Sequence, residues 1–143
     1  MKLGACAAGS VLLCLLVLAV AASSPAAPAA SNLARGKYIV QEVARCGDCH
    51  TPHDEKGEPV AGKILRGAAL TFKPVTPQPV WADKAPNIAG LRGWEDDAAI
   101  KFFRTGIAYN DLPPRPPMPQ YHMNQQDAEA VVAYLKSLSP VEK

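Results

Sequence analysis

A chain of 143 residues with 15 lysines and arginines against 13 aspartates and glutamates carries a formal charge of only +2. That near balance excludes the basic footprint of a nucleic-acid binder. Once an N-terminal leader is set aside, about 110 residues remain, enough for one compact domain and too few for two.

Lys2, the apolar stretch from Val11 to Ala22 and the Ser, Ala and Pro residues that follow read as an export signal. Small residues in the A-x-A pattern stand at Ala19-Val20-Ala21 and Ala27-Pro28-Ala29, which puts the expected cleavage between Ala21 and Ala30. Residues 1–30 are then signal peptide and a short Ala/Pro-rich linker, and 31–143 the domain. The alternative is a retained N-terminal anchor, because Leu3 to Ala22 is about twenty mostly apolar residues, close to a bilayer span. Either way the domain is expected outside the cytoplasm, in the periplasm.

From Ser31, a candidate cap, the residues Leu33, Gly36, Val40, Val43 and Ala44 recur at helical spacing and predict a first helix running to Cys46. There Cys46-Gly47-Asp48-Cys49-His50 spells C-x-x-C-H, in which two thiols bond to the vinyl groups of a haem and the next histidine ligates its iron. Two intervening residues let both sulfurs reach one porphyrin edge while the imidazole turns beneath the metal. A zinc site would need a second Cys/His pair, and only Cys6 and Cys14, inside the leader, remain. A thioredoxin-like redox pair belongs at the start of a helix after a strand, whereas this motif follows a helical pattern. One covalently bound haem c is the expectation, and it agrees with export, since bacterial c-type haem is attached beyond the inner membrane.

Thr51 to Pro86 scatters Pro, Gly and Lys among short apolar pieces and predicts a long loop wrapping the haem edge. A second helix is expected from Trp94 to Thr105, with Glu95, Asp96 and Asp97 where the helix dipole favours negative charge and Gly106 as its stop. From Ala108 to His122, Pro113, Pro114, Pro116, Pro117 and Pro119 exclude a regular helix or a central strand. Asn124 then caps a last helix whose buried face is Ala128, Val131, Val132, Leu135 and Leu138, with Met123 as its hydrophobic staple.

Four residues compete for the remaining axial position on the iron: His53, Met118, His122 and Met123. His53 lies on the same side of the attachment site as His50, His122 reads as a solvent-facing residue, and Met123 has a structural role at a helix entry. Met118 sits between Pro117 and Pro119, whose stiffness would hold a weak thioether ligand with little entropy left to lose. The expected ligand pair is His50 and Met118. Arg66, Trp81 and Arg92 are candidates to contact the haem propionates.

A helix, C-x-x-C-H, an irregular loop, a helix, Met118-Pro119 and a C-terminal amphipathic helix together resemble a class I cytochrome c. Within that class Gly57-Glu58-Pro59-Val60-Ala61-Gly62, Ala85-Pro86-Asn87-Ile88 and Gly93-Trp94 are similar to the haem domains in the cytochrome subunits of bacterial alcohol and gluconate dehydrogenases. Those subunits usually carry three haem domains where this sequence has one, and their Asn-Ile-Thr is Asn87-Ile88-Ala89 here. The resemblance implies a small all-α cytochrome c fold, three to five helices around the haem, with the first and last helices crossing.

A histidine and a methionine saturate the iron, so no substrate site is left and the thioether raises the potential. The expected function is a periplasmic monohaem carrier, not an enzyme, that passes single electrons from a dehydrogenase or quinol-oxidising complex to a terminal acceptor such as an oxidase. Glu95, Asp96 and Asp97 are accounted for by their helix start, and no catalytic residue is assigned. The alternatives are a haem subunit of one dehydrogenase complex, and a haem enzyme or gas sensor with a displaceable distal ligand.

Overall fold

The computed structural model describes residues 26–138, so residues 1–25 of the expected leader and linker, with Cys6 and Cys14, lie outside the described residues, and residues 26–30 belong to the first helix. Within them the chain forms α1 (Ala26–Tyr38), a π-helical turn (Ile39–Val43), α2 (Gly47–His50), β1 (Ala68–Ala69), β2 (Lys84–Ala85), α3 (Asp96–Thr105) and α4 (Gln125–Ser137). The all-α expectation holds, with two differences in the first helix. Ser31 is an interior residue of α1 and not its cap, because the helix already starts at Ala26. Pro28 falls in its first turn, where a missing N–H costs no bond. Nor does the helix run unbroken to Cys46. It widens into the π turn, where the Ala44 N–H donates to the Ile39 carbonyl at 2.7 Å, and Arg45 (φ 48°) then reverses the chain into α2.

The frame is the crossing of α1 and α4. At Gly36 an added Cβ would stand 1.9 Å from the Ala130 carbonyl oxygen, so only glycine lets the two backbones approach this closely. An Arg35–Asp127 ion pair closes the same crossing. Beneath it Val40, Val131 and Leu135 are fully buried, together with Leu65 from the long loop. On α4 the apolar face is as expected: Ala128, Val131, Val132 and Leu135 are buried, and Leu138 packs at the edge of the core. Its cap is Asn124, whose side-chain oxygen accepts from the Asp127 N–H at 2.9 Å. Tyr134 is buried, its hydroxyl accepting from Gln41 Nε2 at 3.0 Å, while Tyr38 is exposed.

Helix α3 begins after Glu95 and ends at Gly106, whose left-handed backbone (φ 69°) returns an N–H to the Phe102 carbonyl. A Lys136–Asp96 ion pair ties α3 to α4. The segment between α2 and α3 is irregular, as its composition implies, and is fixed by a few long-range bonds. The Leu65 carbonyl accepts from Ile88 and Ala89 at 2.9 and 3.1 Å, and its N–H donates to Thr51 Oγ1 at 2.9 Å. The Gly90 N–H reaches the Leu135 carbonyl of α4 at 2.8 Å. A two-residue antiparallel pairing, Ala68 with Ala85 and Ala69 with Lys84, was not expected from the sequence. Strands this short show no alternation of apolar and polar residues.

Candidate functional site

A cavity of about 590 Å³ opens between α2, α3 and the two irregular segments. Its lining includes Cys46, Cys49 and His50 at α2, Ala82 to Ile88, Trp94, Phe102 and Phe103, and Pro114, Arg115 and Pro117 to Pro119. Most of this lining is apolar, as a site for a porphyrin requires.

Local geometry explains why α2 presents its residues here. Arg45 turns the chain, and its guanidinium holds Asp48 at 2.8 and 3.2 Å. The His50 N–H then donates to the Cys46 carbonyl at 2.9 Å, one helical turn that brings Cys46, Cys49 and His50 to one face. His50 is only 6% exposed. Its Nδ1 lies 2.8 Å from the Pro86 carbonyl oxygen. A carbonyl can only accept, so Nδ1 donates, and Nε2 is left with its lone pair. Burial pulls the imidazole's affinity for a second proton below the ordinary histidine range, partly offset by that carbonyl. A neutral ring with one nitrogen oriented by a backbone carbonyl is the arrangement a metal ligand needs. Burial also pushes the Cys46 thiol up to about 11 and raises that of Cys49.

Met118, in the proline-rich segment, also lines the cavity. Its N–H donates to the Arg115 carbonyl at 3.2 Å, and the Ala82 N–H donates to the Pro116 carbonyl at 2.7 Å. Of the four candidates for the second axial position, Met118 alone lines the cavity. His53 is exposed and bridges to Pro59, His122 is exposed, and Met123 packs on the core with its N–H on the Phe103 carbonyl.

None of Arg66, Trp81 and Arg92 lines the cavity. The Trp81 ring meets Phe72 edge to face at 6.0 Å, and its buried Nε1 has no hydrogen-bond partner. Asn87 of the Ala85-Pro86-Asn87-Ile88 motif does line the cavity, as do Arg115 and Tyr121, to which the sequence reading gave no role. Asn87 is turned inward on its own backbone, its Oδ1 accepting from Ala89 at 2.9 Å. The Tyr121 hydroxyl reaches the Ala44 carbonyl at 3.4 Å.

Two thiols at C-x-x-C-H spacing, a buried neutral imidazole and a thioether around one apolar cavity form a donor set that fits haem and no other common cofactor. Fold and donor set together define a c-type cytochrome domain. The sequence profile of the family described as Cytochrome c matches residues 33–139, and the chain belongs to that family. Its cofactor is covalently bound haem c. Among characterised proteins it is similar to the fructose dehydrogenase cytochrome subunit of Gluconobacter japonicus, 30% identical over 114 residues, covering 73% of this chain and 21% of that protein. The gluconate 2-dehydrogenase cytochrome c subunit of Pantoea cypripedii is 32% identical over 130 residues, 83% of this chain and 29% of that protein. The cytochrome c subunit of the quinone-dependent alcohol dehydrogenase of Gluconacetobacter polyoxogenes is 29% identical over 129 residues, 82% and 27% respectively. The chain therefore spans less than a third of the length of each of these relatives.

Proposed function

We propose that this cytochrome is a single-electron carrier in which His50 and Met118 are the two axial ligands of the iron and Cys46 and Cys49 the thioether attachments. The observation that carries this reading is the placement of one buried imidazole and one thioether on the lining of a single cavity. The haem supplies the redox chemistry. The chain's residues hold it from both sides, exclude water with Phe102, Phe103 and Leu91, and keep the imidazole neutral and oriented. With both axial positions taken by protein side chains, no coordination site is left for a substrate. Fixed ligands in both oxidation states leave little to rearrange when an electron moves.

The donor in this proposal is a dehydrogenase or quinol-oxidising complex and the acceptor a terminal oxidase. The names of the similar cytochrome subunits support the dehydrogenase side. The same names favour a second reading, a haem subunit bound to one dehydrogenase. The N-terminal apolar stretch supports export to the periplasm.

The test is the absorption spectrum of the holoprotein, oxidised and reduced, for the natural chain and for Met118→Ala. A methionine-to-iron charge-transfer band in the oxidised natural protein, lost in the variant, is the expected result. Ready carbon monoxide binding by the reduced natural protein at neutral pH would overturn the carrier reading in favour of haem catalysis or sensing.

A further inference from the structure

The cavity is mostly apolar, yet a haem brings two carboxylates into it, and a carboxylate taken out of water needs a charged or hydrogen-bonded partner. The cationic side chains on the lining are Arg45, Lys84 and Arg115. Arg45 is committed to Asp48. Lys84 is an exposed point charge on a flexible stem.

Arg115 is exposed as well, but it differs from both in having its guanidinium held by neutral partners. Its Nε donates to the Val80 carbonyl at 3.2 Å and its Nη2 to the Trp81 carbonyl at 2.8 Å, so two bonds fix the plane of a guanidinium that belongs to the cavity lining. Those two bonds run to neutral oxygens and leave the rest of its five N–H donors for a ligand. The neighbouring acid, Asp83, is held by Lys73 at 2.6 Å, which with the more distant charge of Arg115 keeps its carboxyl below the usual range. Arg115 is thus a rigid cation whose fixed bonds do not neutralise it, on the lining of an apolar cavity.

We infer that the Arg115 guanidinium binds a haem carboxylate and, through the turn that joins its carbonyl to the Met118 N–H, positions the methionine segment over the cofactor. This rests on the covalent haem and not on the carrier reading. Arg115 is a positioning residue: it touches the cofactor's periphery and reaches the iron only by way of Met118. Its charge also disfavours the oxidised, more positive iron.

The test uses the haem-loaded natural protein, Arg115→Gln and Arg115→Lys, with reduction potential and redox-difference infrared spectra as readouts. Glutamine is expected to lower the potential and shift a haem carboxylate band, and lysine, which keeps the charge while losing the fork, to restore the potential. If glutamine moves neither readout, Arg115 is only a clip between two loops and the inference falls. Should the glutamine variant fail to load haem, a crystal structure of the natural holoprotein decides. A carboxylate oxygen within hydrogen-bond distance of the guanidinium supports the inference, and both carboxylates facing Lys84 or solvent overturn it. Absence of the methionine band in the natural protein would sink the Met118 assignment while leaving the carboxylate readout intact.

Discussion

Tyr121 joins the cavity to the pH behaviour of the fold. Burial, with smaller contributions from Cys46 and Cys49, pushes its phenol up to about 12. An unfolded tyrosine ionises near about pH 10. Between those values the unfolded chain has lost a proton that the folded chain keeps, so stability falls as pH rises through that window. In the holoprotein the cysteines are thioethers without charge, and burial remains as the cause. Tyr121→Phe is therefore expected to flatten the alkaline loss of stability, as read from urea midpoints at a series of pH values. At this scale the residues that share the cavity were legible, because C-x-x-C-H is dictated by the porphyrin and Met118 stood in a segment with no other use for a methionine. Arg115 stood three residues away in the same segment, a charged residue with no helix face to solvate. What hid it was that its partners, the carbonyls of Val80 and Trp81, belong to a loop whose path no local pattern encodes. The same hidden path sets the Trp81 indole edge to face on Phe72.

The elements were readable in proportion to their end signals. Helix α4 announced itself by Asn124 and its apolar face, and α3 by its acidic start and Gly106. Helix α1 lacked such a signal, since an alanine-rich run marks no starting residue, and the π turn changes the period without changing the composition. Two substitutions separate capping from packing. Asn124→Ala removes the acceptor for Asp127 N–H and is expected to lower stability by about 1 kcal/mol in denaturant titration. Gly36→Ala forces a methyl group into the Ala130 carbonyl and is expected to cost about 3 kcal/mol, the upper end for overpacking, because the atom it meets is backbone. Equal effects of the two would show that the crossing of α1 and α4 is looser than the close approach at Gly36 requires.

For the whole molecule, the choice between a free shuttle and a fixed subunit turns on how it meets its partners. Redox encounters of free carriers bury little surface and dissociate readily. A shuttle is expected to elute alone from a mild membrane extract, whereas a subunit co-purifies with a dehydrogenase and is released by deletion within the loop from Asp54 to Pro86 with its haem spectrum unchanged. Phe72, Val75 and Val80, exposed apolar residues of that loop, are where such a deletion would act.

The crossing at Gly36 and Ala130 has a consequence in time. Contacts so far apart in sequence close only when the later partner exists, and the chain entropy they must overcome is that of nearly the whole described domain. A chain emerging N-terminus first exposes Cys46 and Cys49 well before α4 follows. Under the proposed export, the order in which the chain crosses the membrane thus acts as a clock, leaving the motif open to haem attachment for as long as the C-terminal helix has yet to arrive.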